Sequence, residues 1–341
     1  MKRMLQLALF VCLLGLLSVS SLAVDAQVTQ PLVCTRFQQQ AFNEFSTACA
    51  GTEGGELCYG FNAVVATEDQ TTPIEDFELG DKLPIDPIES VVSQPYARTN
   101  DTWGLSLLLL PDIQVSQTET EPNLRYILFG GVQLVDTDEE DAAETGYAPL
   151  QSFTFATDQT NLCSDAPSTL FIQSDCGFAD RRFRAEGVDF TIDGAVVLTG
   201  GGTSGYIQAT VVYGVLTIQP DVYSDGIAEA TDQTQPIVVP VGYSIRASLN
   251  ANEPIDSEDH VGPWGAIQQV SRQQLLTLAY LQNIPGNLGY CPINIPIIRQ
   301  PSGSGGVRTT LRFSSSAPLE AVLPYCQVAN PPAFCTYLGL P

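Results

Sequence analysis

The sequence predicts a mainly β fold of sandwich- or barrel-like sheets, with an N-terminal helix and a short helical segment near residues 264–284. Three observations point there. Beyond residue 55 the apolar residues come in short runs of Val, Ile, Leu, Phe and Tyr, divided by Pro, Gly, Asp and Asn. From Ala166 to Leu249 such runs alternate around glycine turns, a pattern of sandwiches and barrels and not of βαβ units. Ahead of them, one segment repeats its apolar residues at helical spacing.

The chain opens as a secretory leader: Met1-Lys2-Arg3, the apolar run Leu5–Leu17, then small residues to Ala26. Cleavage is expected after Ala26, with Ala23 as a second site. That leaves 315 of 341 residues, carrying 12 basic and 37 acidic side chains, a net charge of −25. Such a charge argues against a nucleic-acid partner, which needs clustered Lys and Arg. It argues equally against docking on an anionic membrane. No later apolar run reaches the roughly 18–20 residues that span a bilayer, so no transmembrane segment is expected in the mature chain.

Cys34, Phe37, Ala41, Phe45 and Ala48 give the helical stripe, ending near Gly51. Strands are expected at Tyr59–Ala66, Ile88–Val92, Trp103–Leu110, Leu124–Leu134 and Gln151–Ala156. Trp103–Leu110 is apolar almost throughout, as in a strand buried on both faces. Gly130-Gly131 reads either as a hairpin turn or as a bulge within one strand. The acidic run Asp136–Glu144 lacks the glycine and terminal glutamate of an EF-hand and reads as a solvated loop, with an irregular cation site as the alternative. Further strands follow at Phe183–Phe190, Ala195–Leu198, Tyr206–Val212, Gly214–Ile218, Ile237–Val239 and Tyr243–Leu249. Asp193-Gly194 and Gly200-Gly201-Gly202 are the turn signals among them. Trp264, Ile267, Val270, Leu275, Leu278 and Leu281 form a helical stripe broken near Ser271, where Ser271 and Gln274 match a capping box. Four segments result: leader 1–26, helix plus β region 27–150, β region 151–250, and linker, helix and bridged tail 251–341.

Nine cysteines are present, Cys12 within the leader; the other eight are Cys34, Cys49, Cys58, Cys163, Cys176, Cys291, Cys326 and Cys335. An even number in an exported chain implies structural disulfides. A helix from Cys34 to Cys49 holds those two roughly 22 Å apart, beyond disulfide reach. Cys49–Cys58, Cys163–Cys176 and Cys326–Cys335 are plausible local bridges, which leaves Cys34–Cys291 by elimination.

Phe183–Phe190, Tyr213–Ile218 and Pro236–Ile245 resemble the FecR-type extracytoplasmic β domain, and Cys58-Tyr59-Gly60 after a cysteine-bearing helix is similar to a motif of exported bacterial proteins. The resemblance covers about residues 166–249 and implies a β fold in an extracytoplasmic setting. FecR sensors also carry a transmembrane helix and a cytoplasmic tail for a sigma or anti-sigma partner, which this sequence lacks.

Catalytic machinery is not evident. His260 is the one histidine, set in the acidic linker Asp256–Asp259, with no G-x-S-x-G elbow to partner it; an exposed linker residue is expected. No metal ligand set and no cofactor motif is found. Asn100-Asp101-Thr102 matches a glycosylation sequon at the level of chance. Trp103 is expected in the core, and Trp264 either in the core or on a binding surface. The expected function is a non-enzymatic binding, scaffold or sensor-like module at the cell surface, with a cell-surface protein or a polysaccharide as partner. The alternative is an extracellular polysaccharide hydrolase using paired carboxylates.

The charge also sets a pH dependence. With 37 carboxylates and 12 basic groups, most carboxylates have no counter-charge. Crowding by like charge raises their folded pKa values above the unfolded ones. The repulsion is then relieved as pH falls through the raised values, and stability rises. The melting temperature is expected to be higher at pH 5.5 than at pH 7.5, and sodium chloride should raise it at pH 7.5 by screening. A lower value at pH 5.5 that ignores salt would contradict this.

Overall fold

The computed structural model describes residues 31–69, 71–97, 99, 101–111, 124–137, 147–158, 166–174, 180–219, 236–255, 257, 260–271, 274, 277–288, 297–301 and 307–311, with side chains from residue 36 to residue 288. The protein is mainly β, as expected. Helix α1 spans Pro31–Ala48. Among the described residues, sixteen strands share one curled sheet and two more form a separate hairpin.

The sheet is organised by two long strands, β12 (Val188–Gly200) and β13 (Tyr206–Ile218), paired along nearly their whole length. Both bend at one level, where Gly194 lies opposite Gly214. Burial in β12 alternates up to Asp193 and is almost continuous beyond it. The first half therefore has one wet face, and the second half is covered on both.

Each half recruits its own neighbours. The first half of β12 pairs with β11 (Arg181–Ala185). Outward from β11 follow β9 (Ser152–Thr157), β8 (Val132–Asp136), β5 (Ser90–Ser93), β2 (Val64–Asp69) and β3 (Thr72–Pro73). The second half pairs with β10 (Thr169–Gln173), then β7 (Leu124–Phe129), β6 (Leu105–Leu110), β1 (Glu56–Phe61) and β4 (Lys82–Pro84). On the far side of β13, β14 (Ile237–Pro240) and β15 (Tyr243–Ser248) run along the two halves in turn, and β16 (Gln268–Gln269) joins β15. Strands from residues 27–150 and 151–250 interleave: β10 lies between β7 and β12, and β9 between β8 and β11.

The halves fold over a shared core. Tyr126 of β7 meets Phe153 of β9 at 5.5 Å and Phe183 of β11 at 6.5 Å between ring centroids. The chain crosses between halves at a corner. There Gly130-Gly131 is neither hairpin nor bulge: β7 and β8 on either side of it belong to different halves. Gly104 N–H donates to Gln94 O, and Gly130 N–H to Gly104 O, each at 2.8 Å, stacking successive crossings.

A second core lies on the back of the second half, under α1. Phe42 stands edge-on to Trp103 at 5.8 Å and to Phe129 at 6.0 Å, and Trp103 is fully buried. Leu105, Leu107 and Leu109 face this core while Leu108 and Leu110 face the other, which explains the unbroken apolar run in β6. Cys49, just past the helix, is bonded to Cys58 of β1 with Cα atoms 5.7 Å apart. Lys82 Nζ donates to the Ala50 carbonyl at 2.9 Å, a cation placed at a helix C-terminus.

The helical segment near 264–284 begins only after Ser271. Residues 261–270 run extended beside β15, with Gly262 N–H to Ser248 O at 2.9 Å and Gly265 N–H to Arg246 O at 2.8 Å. Covering that edge outweighs the helical spacing of Trp264, Ile267 and Val270. Trp264 is half-buried, edge-on to Phe190 at 6.0 Å. Ser271 and Gln274 make both capping-box bonds, 2.8 and 3.3 Å. A 3-10 turn at Ala279–Asn283 sets the Tyr280 ring 5.0 Å from Phe129. The separate hairpin is β17 (Ile297–Pro301) and β18 (Val307–Leu311).

Gly60 marks the closest approach of α1 to the sheet: a Cβ there would overlap the Phe45 ring and press on Leu105 O. Gly60→Ala must displace the helix or the ring, at about 1–3 kcal/mol. Urea unfolding should show the midpoint falling by that amount; an unchanged midpoint would mean that Phe45 moves freely.

Candidate functional site

The arrangement that the fold builds with most care centres on the turn between β11 and β12. Ala185 pairs with Val188, leaving Glu186-Gly187 as a two-residue loop. Both have positive φ, 53° and 78°, as a type I′ turn requires. Such turns ordinarily take Asn-Gly, and a glutamate in the left-handed region is uncommon. Tertiary bonds hold it there. Glu186 is only 2% exposed, its carboxylate turned inward. Oε1 accepts the Phe155 amide at 2.9 Å and the Gly202 amide at 3.5 Å. Oε2 lies 3.1 Å from His260 Nε2.

His260 is 6% exposed, not the exposed linker residue expected from its acidic, proline-flanked setting. Its Nδ1 lies 3.1 Å from the Glu253 carbonyl. Each ring nitrogen thus faces an oxygen acceptor, and which of them carries the hydrogen is a matter of tautomer. Asn250 N–H donates to His260 O at 2.8 Å, closing the loop on itself, and Gly187 presses against the Ile255 carbonyl. The pair thus ties together four pieces of chain: β9, the β11–β12 turn, the β12–β13 connection and residues 250–261. Both ring nitrogens are engaged within the protein. The local signal in the sequence was the Glu-Gly dipeptide between alternating runs, a hairpin with the wrong first residue; nothing local placed His260 beside it.

A second polar cluster lies on the same two strands. Tyr147 donates its hydroxyl hydrogen to Asp189 Oδ1 at 2.8 Å and accepts from Arg182 Nη2 at 3.2 Å. The Arg182 guanidinium sits 5.4 Å over the Tyr147 ring, and Arg184 Nε is 3.4 Å from Asp189. Burial, reinforced by the bond to Asp189, pushes the Tyr147 hydroxyl up to about 12, so it stays protonated at physiological pH. Farther along β12, burial first and then the nearby Asp180 raise the Asp193 carboxyl. Asp69 runs the other way, lowered by bonds from Thr71 and Thr72.

Of the cysteines singled out in the sequence, Cys49 and Cys58 are bonded to each other. Cys34 falls in α1. Cys163, Cys176, Cys291, Cys326 and Cys335 lie outside the described residues, as do Asn100 of the sequon and residues 138–144 of the acidic run. Asp136, the first residue of that run, accepts the Leu150 amide at 3.0 Å. Among the described residues no group of three or more His, Cys, Asp or Glu is placed to hold a metal ion. No helix among them is long and apolar enough to cross a membrane. Compared with known protein families, curated proteins and solved structures, the chain matches none.

Proposed function

We propose that the chain is an exported, disulfide-stabilised β protein acting outside the cytoplasm as a non-enzymatic binding, scaffold or sensor-like module. The observation that carries this reading is the Cys49–Cys58 bond, which fastens α1 to β1 inside the second core. Buried structural disulfides belong to oxidising compartments. The secretory leader, the even count of mature cysteines and the FecR-type strand pattern support the same setting. So do the sheet margins: β3, β4 and β16 are two or three residues long, and β3 and β4 end in proline. Short, proline-ended margins discourage pairing with other chains, which suits a protein presenting a surface at high local concentration. His260 supports the non-enzymatic reading, because its ring is spent on Glu186 and Glu253. A cell-surface protein or a polysaccharide is the partner class.

Expression of the full chain with its own leader tests the setting. The product should be recovered outside the cytoplasm, starting at Gln27. Thiol titration after denaturation without reductant should give essentially zero. Cytoplasmic retention with several reactive thiols per chain would overturn the proposal.

A further inference from the structure

We infer that the seam between the two ends of the curled sheet is a docking surface for a basic protein segment, with an apolar side chain of that segment seated on Leu79. The inference takes from the reading above only that the chain has a partner; the surface stands on geometry and charge.

The main path of the sheet ends in β3 on one side and in β4 on the other. Residues 74–81 run from one end to the other and are fastened at both. Ile74 N–H donates to Ala66 O of β2 at 2.9 Å, Gly80 N–H to Tyr59 O of β1 at 2.9 Å, and Tyr59 N–H to Asp81 O at 3.0 Å. Here the inner core reaches the surface. Tyr59 and Phe77 stand edge-on at 5.1 Å, and with Ile74 and Leu83 they pack on that core while staying only half-buried.

Leu79 stands out from this seam. Glu78–Asp81 is a turn closed by Asp81 N–H to Glu78 O at 3.0 Å, with Gly80 at φ 91° where a type II turn needs a positive φ. Leu79 is the residue before that glycine, a position for which proline is common and a leucine is not required. It is 50% exposed, more than any other large apolar side chain among the described residues. The turn fixes the place of this side chain and has no use for it.

Charge selects the occupant. Residues 68–89 hold eight carboxylates, all exposed, and one base, Lys82, whose Nζ is committed to the Ala50 carbonyl. These residues therefore carry −7 of the mature −25. Glu75, Asp76, Glu78 and Asp81 all lie within four residues of Leu79. A field of this sign attracts and orients a basic partner. It repels a second copy of this chain, an anionic membrane and an acidic polysaccharide, and it does not orient an uncharged one. Because β3 and β4 end in proline, strand addition is disfavoured and recognition falls to side chains.

The test is fluorescence anisotropy of the full protein with three labelled peptides of equal length, one of arginine and leucine, one of arginine and serine, and one of glutamate and leucine. The arginine–leucine peptide should bind most tightly, and roughly fivefold or more weaker in 0.5 M than in 0.05 M sodium chloride. Leu79→Ser should weaken it by roughly fivefold or more through lost apolar burial. Ile255→Ser, which removes another exposed apolar side chain, should leave it unchanged. Glu75→Gln and Glu78→Gln together should weaken binding and lower its salt dependence. Near-ultraviolet circular dichroism checks the fold of each variant; if Leu79→Ser fails to fold, the glutamine double variant and the three peptides decide. The proposal is overturned if Leu79→Ser binds as the wild type does, if either other peptide binds equally well, or if the double variant keeps the full salt dependence. It is also overturned if dextran displaces the peptide, which gives the surface to a neutral sugar, or if sedimentation shows a dimer that Leu79→Ser abolishes. Retention in the cytoplasm would remove the extracytoplasmic setting and leave these results standing, so the two readings fail separately.

Discussion

The opposed glycines 194 and 214 are the constraint from which the rest of the structure follows. A flat sheet of sixteen strands would leave most of its apolar residues in water. To bury them, the sheet must fold back on itself, and β12 and β13 must bend while staying paired, with the register slipping by one residue between Ala195 and Val196. Both do so at one level, with φ of 133° at Gly194 and 68° at Gly214. A Cβ at either position would run into backbone: Tyr213 O from Gly194, Asp193 O from Gly214. Because the two bends coincide, β11 and β10 can occupy the same edge of β12 in succession, and β14 and β15 the far edge of β13. One hairpin thereby belongs to both halves, and the core between them has no seam at this corner.

The polar contacts fall where the bent sheet needs closing. Where the folded sheet closes, the β11–β12 turn, β9 and the β12–β13 connection converge on Glu186, whose carboxylate accepts the Phe155 and Gly202 amides and lies 3.1 Å from His260 Nε2. A buried carboxylate without partners would cost several kcal/mol, so the turn depends on the segments that surround it. On the opposite face α1 does equivalent work with rings and a disulfide.

Much of this was legible in the sequence, and what was missed shares a physical cause. Helix α1 and strand β6 were readable because their burial is set locally, by a helical stripe and by an apolar run covered on both faces. The change from alternating to continuous burial in β12 is also written in its residues, Val188–Asp193 against Ala195–Leu198. Asp193-Gly194 reads as a hairpin all the same, because a turn and a mid-strand bend use the same dipeptide. The true hairpin lies seven residues earlier, at Glu186-Gly187, where it breaks the expected single strand Phe183–Phe190; it was hidden because only distant partners make a glutamate acceptable there. His260 was illegible for the same reason: its acidic, proline-flanked surroundings describe a linker, while its acceptors come from Glu253 and from a turn 74 residues away. Trp264–Val270 had helical spacing, yet the exposed edge of β15 offered it better hydrogen bonds than a helix of its own.

The bend is tested most directly by comparing two glycines of the same hairpin in urea unfolding, Gly214→Ala and Gly205→Ala. Both have left-handed backbones, φ 68° and 72°, but a Cβ at Gly205 meets nothing within 4 Å. The strain of the backbone alone costs about 1 kcal/mol or slightly more. If the bend holds the two halves together, Gly205→Ala loses only that, whereas Gly214→Ala loses at least about 2 kcal/mol more through its collision with Asp193 O and also weakens the near-ultraviolet circular dichroism of the core. Equal losses for the two variants would contradict the account, because the paired bend would then be no more than a local turn preference.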